Sequence, residues 1–449
     1  MADRKNFGSK LGVVLASAGS AVGLGNIWRF PTEVGENGGA AFVLVYLLCV
    51  ILVGVPIMLG EFVIGRHTHA NTATAYQQLA PGKWWRVQGA MGVLVAFIIS
   101  CYYMVVAGWT LYYAYASLTG ALQYQGDDAT YFSTFFDNFV THPWLPVLFA
   151  MLFMVMVHGI IVKGVQDGIE RFSKVMMPML LLIIAVLTVC AFSLPGSSEG
   201  LRYLLHPDFS KLSAQTVLNA IGQAFYSLSL AMGCLCTYAS YFRDDTNLVK
   251  TAFSVSLIDT MVALLAGFII FPAVFSVPGL EPGDGPGLVF KSLPYIFSHA
   301  FASMPVMGYI FSLLFYLLLF LAALTSAISI HEPVTAYLHE VHQMSRRKAA
   351  LWVTMVSVVL GVVCSLSCGL LGDMKILGMT LFDCFDALPA KILMPVGGII
   401  ISLFTGWYLD RKLVEDELTN YGKLRFPLFP VFIFLLRWVI PVAIALVMV

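Results

Sequence analysis

Apolar residues run along this chain in blocks long enough to cross a bilayer, separated by short polar stretches. A helix needs ~20 predominantly apolar residues to span the hydrocarbon. About eleven blocks qualify, at 11–33, 41–64, 88–119, 144–162, 169–194, 215–241, 247–276, 305–340, 349–370, 383–409 and 428–449. The polar stretches around 120–143, 195–214 and 277–300 are too short to be modules and read as loops. Composition agrees, with 59% of residues hydrophobic, 11% charged and a mean hydropathy of +0.85, where soluble domains are about a quarter charged. The pattern predicts an all-α polytopic membrane protein whose residues 1–449 form a single domain. No cleavable signal is evident, because the first apolar run carries Asn26 and Arg29.

Two blocks are built to break. In the first, Gly19, Gly23 and Gly25 weaken helical order and Asn26 and Arg29 bring polarity to membrane depth. In the sixth, Gly222, Gln223, Ser227, Ser229 and Gly233 do the same. Unwound backbone is tolerated in a membrane only where it is buried in protein or lines a wet cavity. Gly and Ser can also serve close helix packing, but breaks in the first and sixth blocks together suggest a five-plus-five repeat, 1–194 and 215–409, with 428–449 outside it. Half-helices meeting at mid-membrane aim N–H groups at an anion and C=O groups at a cation, which suits an amino-acid carboxylate and sodium.

Charge gives the orientation. Lys10, Arg66, Lys83, Arg171, Arg243, Arg346, Arg347, Lys348, Arg411 and Lys412 flank the side on which the chain begins, whereas 121–143 has no Lys or Arg and carries Asp127, Asp128 and Asp137. The N-terminus is therefore expected to be cytoplasmic and, with an odd number of spans, the C-terminus outside. Lys and Arg together number 25, as do Asp and Glu, and nothing points to nucleic acid. Neither a phosphate-cradling Gly-Lys-Ser/Thr loop nor a His-Glu-x-x-His metal motif is present, so the reading is a carrier driven by an ion gradient and not an enzyme. A channel or a non-transporting receptor would use similar broken helices; single-turnover stoichiometry and accumulation against a gradient separate these readings. The eight cysteines lie in apolar segments and read as packing residues, and His67 and His69 as a solvated turn.

The run Gly19 to Pro31, then Glu36 to Gly39, Gly65-Arg66, Tyr102-Tyr103, Trp109-Thr110, Gly168 to Phe172, Thr237 to Tyr241 and Leu324 to Ser326 resemble the neurotransmitter:sodium symporter family along essentially the whole chain. The closest likeness is to bacterial amino-acid members, which implies an inverted repeat with unwound helices 1 and 6 and a place in the bacterial cytoplasmic (inner) membrane. The resemblance implies two sodium sites. One would join the carbonyls of Gly19, Val22 and Ala322 to the hydroxyls of Thr325 and Ser326; the other would take Ala21, Asn26, Ser227 and Asp259. Relatives often have Asn at the last position, and many bacterial members carry Glu one turn later, where this chain has Ala263. A carboxylate at Asp259 can replace the chloride that animal relatives bind, so no chloride requirement is expected.

Monoamine carriers of the family have Asp where this chain has Gly23, which leaves room for a substrate carboxylate. By resemblance the carboxylate meets sodium, Gly25 N–H and Tyr103 hydroxyl, and the amine meets carbonyls of Ala21, Tyr226 and Ser227. Val22, Ile99, Tyr226, Ser229, Met232, Ser326 and Ile330 would face the side chain, implying branched or aromatic L-amino acids. For gates, the resemblance implies an aromatic lid of Tyr103 and Tyr226, an outer pair of Arg29 with Asp386 (preferred over Asp383) assisted by Gln223, and an inner pair of Arg4 with Glu340 beside Phe7 and Tyr241. Gly168 and Pro178 would let the fifth span unwind. Glu61 and Glu332 read as structural acids, and monomer or dimer is left open.

Overall fold

The structure is a computed structural model that describes residues 6–123, 126, 130–277 and 288–448. In chain order its helices are Lys10–Ala21 (α1) and Gly25–Glu36 (α2), bent by 53° to each other; Ala40–Thr68 (α3); Arg86–Leu118 (α4); and Tyr131–Thr141 (α5) with Leu145–Ile161 (α6), bent by 73°. Val165–Ala191 (α7) follows. Next come Ala214–Ser227 (α8) and Cys234–Ala239 (α9). Leu248–Val274 (α10), Pro305–Val341 (α11), Arg346–Leu366 (α12) and Leu381–Tyr408 (α13) complete the bundle with Arg411–Thr419 (α14) and Phe429–Val447 (α15). Eight of these helices could cross a membrane, or ten spans if each bent pair is one. The remaining predicted block, 215–241, is α8 and α9 with residues 228–233 between them. Among the described residues the only strand-like pairing is the isolated bridge of Ile376 with Met379.

Among the described residues, the stretches read as loops contain three short α-helices, α5, Ser197–Leu205 and Leu293–Ala300. Each turns apolar residues onto the bundle, namely Phe132 and Phe139, Leu204, and Ile296 with Phe297, all buried. That burial, unavailable to a solvated loop, stabilises the helical form.

The two broken helices sit together at the centre. The long α4 and α11 pack along each other, while α1 packs against α7, α10 and α11. On the face where the chain begins, two clasps hold the bundle. Glu170 accepts hydrogen bonds from Gly8 N–H (2.6 Å) and Ser9 Oγ (2.9 Å) and pairs with Lys174 at 2.6 Å, tying the start of α1 to the π-helical opening of α7, residues 165–170. Arg66 at the end of α3 pairs with Glu417 of α14 at 2.6 Å, donates to Thr246 O and Asn420 Oδ1, and also reaches Glu417 O.

His67 and His69 are not a merely solvated turn. His67 lies 3.0 Å from Glu417 Oε1, and His69 lies 3.2 Å from Asp244 Oδ1. Burial alone would raise the Glu417 carboxyl, but the contacts from His67 and Arg66 outweigh it and hold that carboxyl below its ordinary range.

Candidate functional site

The first break is satisfied from within. Val22 leaves the helix with extended backbone (ψ 110°), and the freed Gly23 N–H donates to Asn26 Oδ1 at 3.0 Å. The second break is satisfied from outside. Ser229 (φ 53°), Ala231 (φ 62°) and Gly233 (φ 72°) turn the chain left-handed, which is costly for residues with a side chain. Glu61 of α3 bridges that turn, accepting Ala231 N–H at 2.7 Å on one oxygen and Cys236 N–H at 3.2 Å on the other.

Between the breaks lies a fully buried carboxylate. Asp259 of α10 accepts Asn26 Nδ2–H at 2.7 Å and Ser227 Oγ–H at 2.7 Å, while Asn26 also donates to Ser227 Oγ and Asp259 O. Tyr46 donates to Ser227 Oγ at 3.3 Å. Among the described residues no Lys, Arg or His pairs with Asp259. An ionised carboxylate at zero exposure without a positive partner is very unfavourable, so Asp259 calls for either a cation or a proton in this oxygen cluster. The carbonyl of Ala21 belongs to the buried end of α1 close by.

A second oxygen cluster carries no formal charge. Ser326 Oγ donates to Val22 O at 3.0 Å and Thr325 Oγ1 to Ala322 O at 3.0 Å. A Cβ on Gly19 would lie 3.5 Å from Thr325 Cβ, so α1 and α11 bring these residues together. Hard oxygen donors in both clusters match the chemistry of an alkali cation.

The predicted substrate residues surround the same breaks. A Cβ at Gly23 would overlap Ser326 Oγ and stand 3.5 Å from Tyr103 hydroxyl; one at Gly25 would press on the Tyr226 ring at 2.9 Å. Tyr103 hydroxyl is buried close to Ser326 and Leu24 and makes no well-formed hydrogen bond, which leaves it a donor beside Gly23. Ser229 Oγ donates to Ser20 O at 2.9 Å, and Ile99, Met232 and Ile330 are buried apolar walls.

The outer gate differs from the expectation. Arg29 pairs with Glu33, one turn along α2, at 3.4 Å and lies over the Tyr226 ring at 4.8 Å, so it does not pair with Asp386. Asp386 instead faces Tyr102 and Tyr226. Asp383 is committed to capping its own helix through Thr380. Gln223 does not hold Arg29; it donates to Gly25 O at 3.0 Å and so supports the broken backbone. In the aromatic pair, Tyr226 meets the hydroxyl of Tyr102, 3.4 Å away, and not that of Tyr103. On the other face Arg4 lies outside the described residues. Glu340 accepts from Asn71 N and Nδ2 at 2.9 and 2.8 Å. Phe7 donates its N–H to Tyr241 O at 2.9 Å, and Tyr241 hydroxyl donates to Glu332, which also pairs with Arg346 at 2.6 Å. That Arg346 linkage was not anticipated; an acid deep in an apolar block with an arginine opening the next block was its only signal.

Comparison with known proteins gives the family and the fold. Residues 4–142 and 139–449 match the sodium:neurotransmitter symporter family. An uncharacterized sodium-dependent transporter of Bacillus subtilis is 37% identical over 98% of this chain and 96% of its own length. One of Haemophilus influenzae is 37% identical over 93% of each chain. The crystal structure of MhsT in complex with L-phenylalanine superposes with a TM-score of 0.89 at 42% identity, covering 99% of both chains.

Proposed function

The chain belongs to the sodium:neurotransmitter symporter family and is a sodium-dependent, multi-pass membrane transporter, and on that premise we propose that it imports branched or aromatic L-amino acids with two sodium ions and without chloride. The observation that carries this reading is Asp259, a buried carboxylate ringed only by neutral donors at the junction of both broken helices. A sodium ion there neutralises it, and the substrate carboxylate completes the shell. Asn26 can turn its amide oxygen to the ion, and Ser227 its lone pairs. Tyr103 hydroxyl donates to that carboxylate beside Gly23, where Ser326 Oγ now stands and would have to turn aside. The L-phenylalanine bound to MhsT supports an apolar α-amino acid as cargo. Because Asp259 brings its own negative charge, no anion has to accompany the cation.

Alternating access would follow from the two halves of each broken helix moving separately, with the face where the chain begins on the cytoplasmic side of a bacterial inner membrane. The test is thermal stabilisation of the purified protein by a panel of amino acids and amines in sodium, potassium and chloride-free sodium salts. Stabilisation by hydrophobic L-amino acids in sodium, equal with and without chloride, is expected. Stabilisation in potassium, or only by amines lacking a carboxylate, would overturn the assignment of Gly23, Asn26 and Asp259.

A further inference from the structure

A small cavity of about 10 Å³ lies behind the candidate substrate pocket, lined by Ser100, Tyr103, Met104, Met154, Ile330 and His331, with Ala327 closing one side. Its size is near the minimum that holds one water, and its lining is mostly apolar. Tyr103 and Ile330, both among the residues proposed to face the substrate, are part of its wall.

The remaining walls are of two kinds. His331 is fixed, because Thr335 Oγ1 lies 2.9 Å from Nδ1 and Thr354 Oγ1 3.0 Å from Nε2. Ser100 is fixed as well, with Ser357 Oγ at 2.8 Å and its own hydroxyl donating to Phe97 O. Met104 and Met154 are buried, unbranched and polarizable, the side chains best able to repack. The Met104 thioether already fills a slot against α12. A Cβ at Gly361 of α12 would overlap the Met104 sulfur and lie 2.9 Å from its methyl and 2.9 Å from Cys101 O, so Gly361 exists as glycine where the thioether rests.

Resting on the amino-acid reading above, we propose that Met104 and Met154, with the Gly361 slot, set the largest side chain this transporter accepts. A bulky substrate presses Ile330 back into the cavity, and the two thioethers repack around it while His331 and Ser100 hold the frame. A branched aliphatic side chain does not need that displacement. Tryptophan and phenylalanine therefore depend on this second layer, and valine does not.

The experiment is sodium-dependent equilibrium binding of valine, leucine, phenylalanine and tryptophan to wild type, Gly361→Ala and Met154→Ala. Gly361→Ala forces the Met104 thioether toward the cavity and is expected to weaken tryptophan and phenylalanine at least tenfold relative to valine. Met154→Ala is expected to shift the ratio the other way by severalfold. Preserved valine binding shows that each variant is folded, and a variant that binds nothing is replaced by Met104→Leu, whose branched side chain should likewise weaken tryptophan relative to valine, or by Met154→Val. Ratios unchanged in both variants would overturn the proposal. A wild type that binds none of the four in sodium would overturn the amino-acid reading itself, a different outcome.

Discussion

In the proposed reading Asp259 and Gly23 serve opposite halves of the chemistry, one by supplying charge and the other by withholding a side chain. Replacing Asp259 with Asn keeps the shape but removes the charge that a cation would pair with. Losing one partner of a buried charge pair costs roughly 2–5 kcal/mol, so sodium affinity of Asp259→Asn should fall at least ~30-fold, measured by sodium titration of substrate binding. An unchanged titration would mean that the cation sits elsewhere. Asp259→Ser, with the carboxylate gone, should bind sodium better in chloride than in gluconate. Gly23→Ala drives a methyl into Ser326 Oγ, which also donates to Val22 O, so it should depress substrate and sodium binding together. Both residues were legible in the sequence because a carboxylate and a run of glycines at membrane depth are rare and need a reason. Arg29 was not, because an arginine that can reach several acids is decided by conformation, and here its neighbour Glu33 wins.

Among elements, the unwound stretch between α8 and α9 depends on a residue from a third helix. Glu61 accepts Ala231 N–H from that stretch and Cys236 N–H from the start of α9, and leaving such a buried donor unpaired costs about 1–3 kcal/mol. Glu61→Gln should lower the unfolding temperature in detergent and weaken substrate binding, because Ser229 and Met232 flank the loosened turn; a change in stability alone would separate support of the fold from support of the site. The helices themselves could be read from apolar block length, and both breaks from glycine and hydroxyl placement. The short helices at 131–141 and 197–205 could not, since their stability comes from burying Phe132, Phe139 and Leu204 against the bundle and not from an apolar run of their own. Gly168 was read as a point of unwinding; a Cβ there would overlap Ile160 O, so close approach of α7 to α6 also demands a glycine.

For the whole molecule, the Arg66 and Glu417 clasp joins the end of α3 to α14 and to the turn at Thr246. The Glu417 carboxyl is held below its ordinary range, so the folded state binds the proton less readily than the unfolded chain. Its stabilisation is full above the unfolded value of about 4.3 and is lost as pH falls through the lower folded value. Thermal unfolding followed from pH 7 to pH 3.5 should show a loss in wild type that is much shallower in Glu417→Gln, itself less stable at pH 7.

The other clasp on that face has a mechanical meaning. Gly8 and Ser9 cannot swing away until their bonds to Glu170 break, and the same carboxylate anchors the opening turn of α7 through Lys174. Any displacement of the start of α1 therefore has to free a carboxylate that belongs to the opening turn of α7, so the two helix ends are coupled through one side chain.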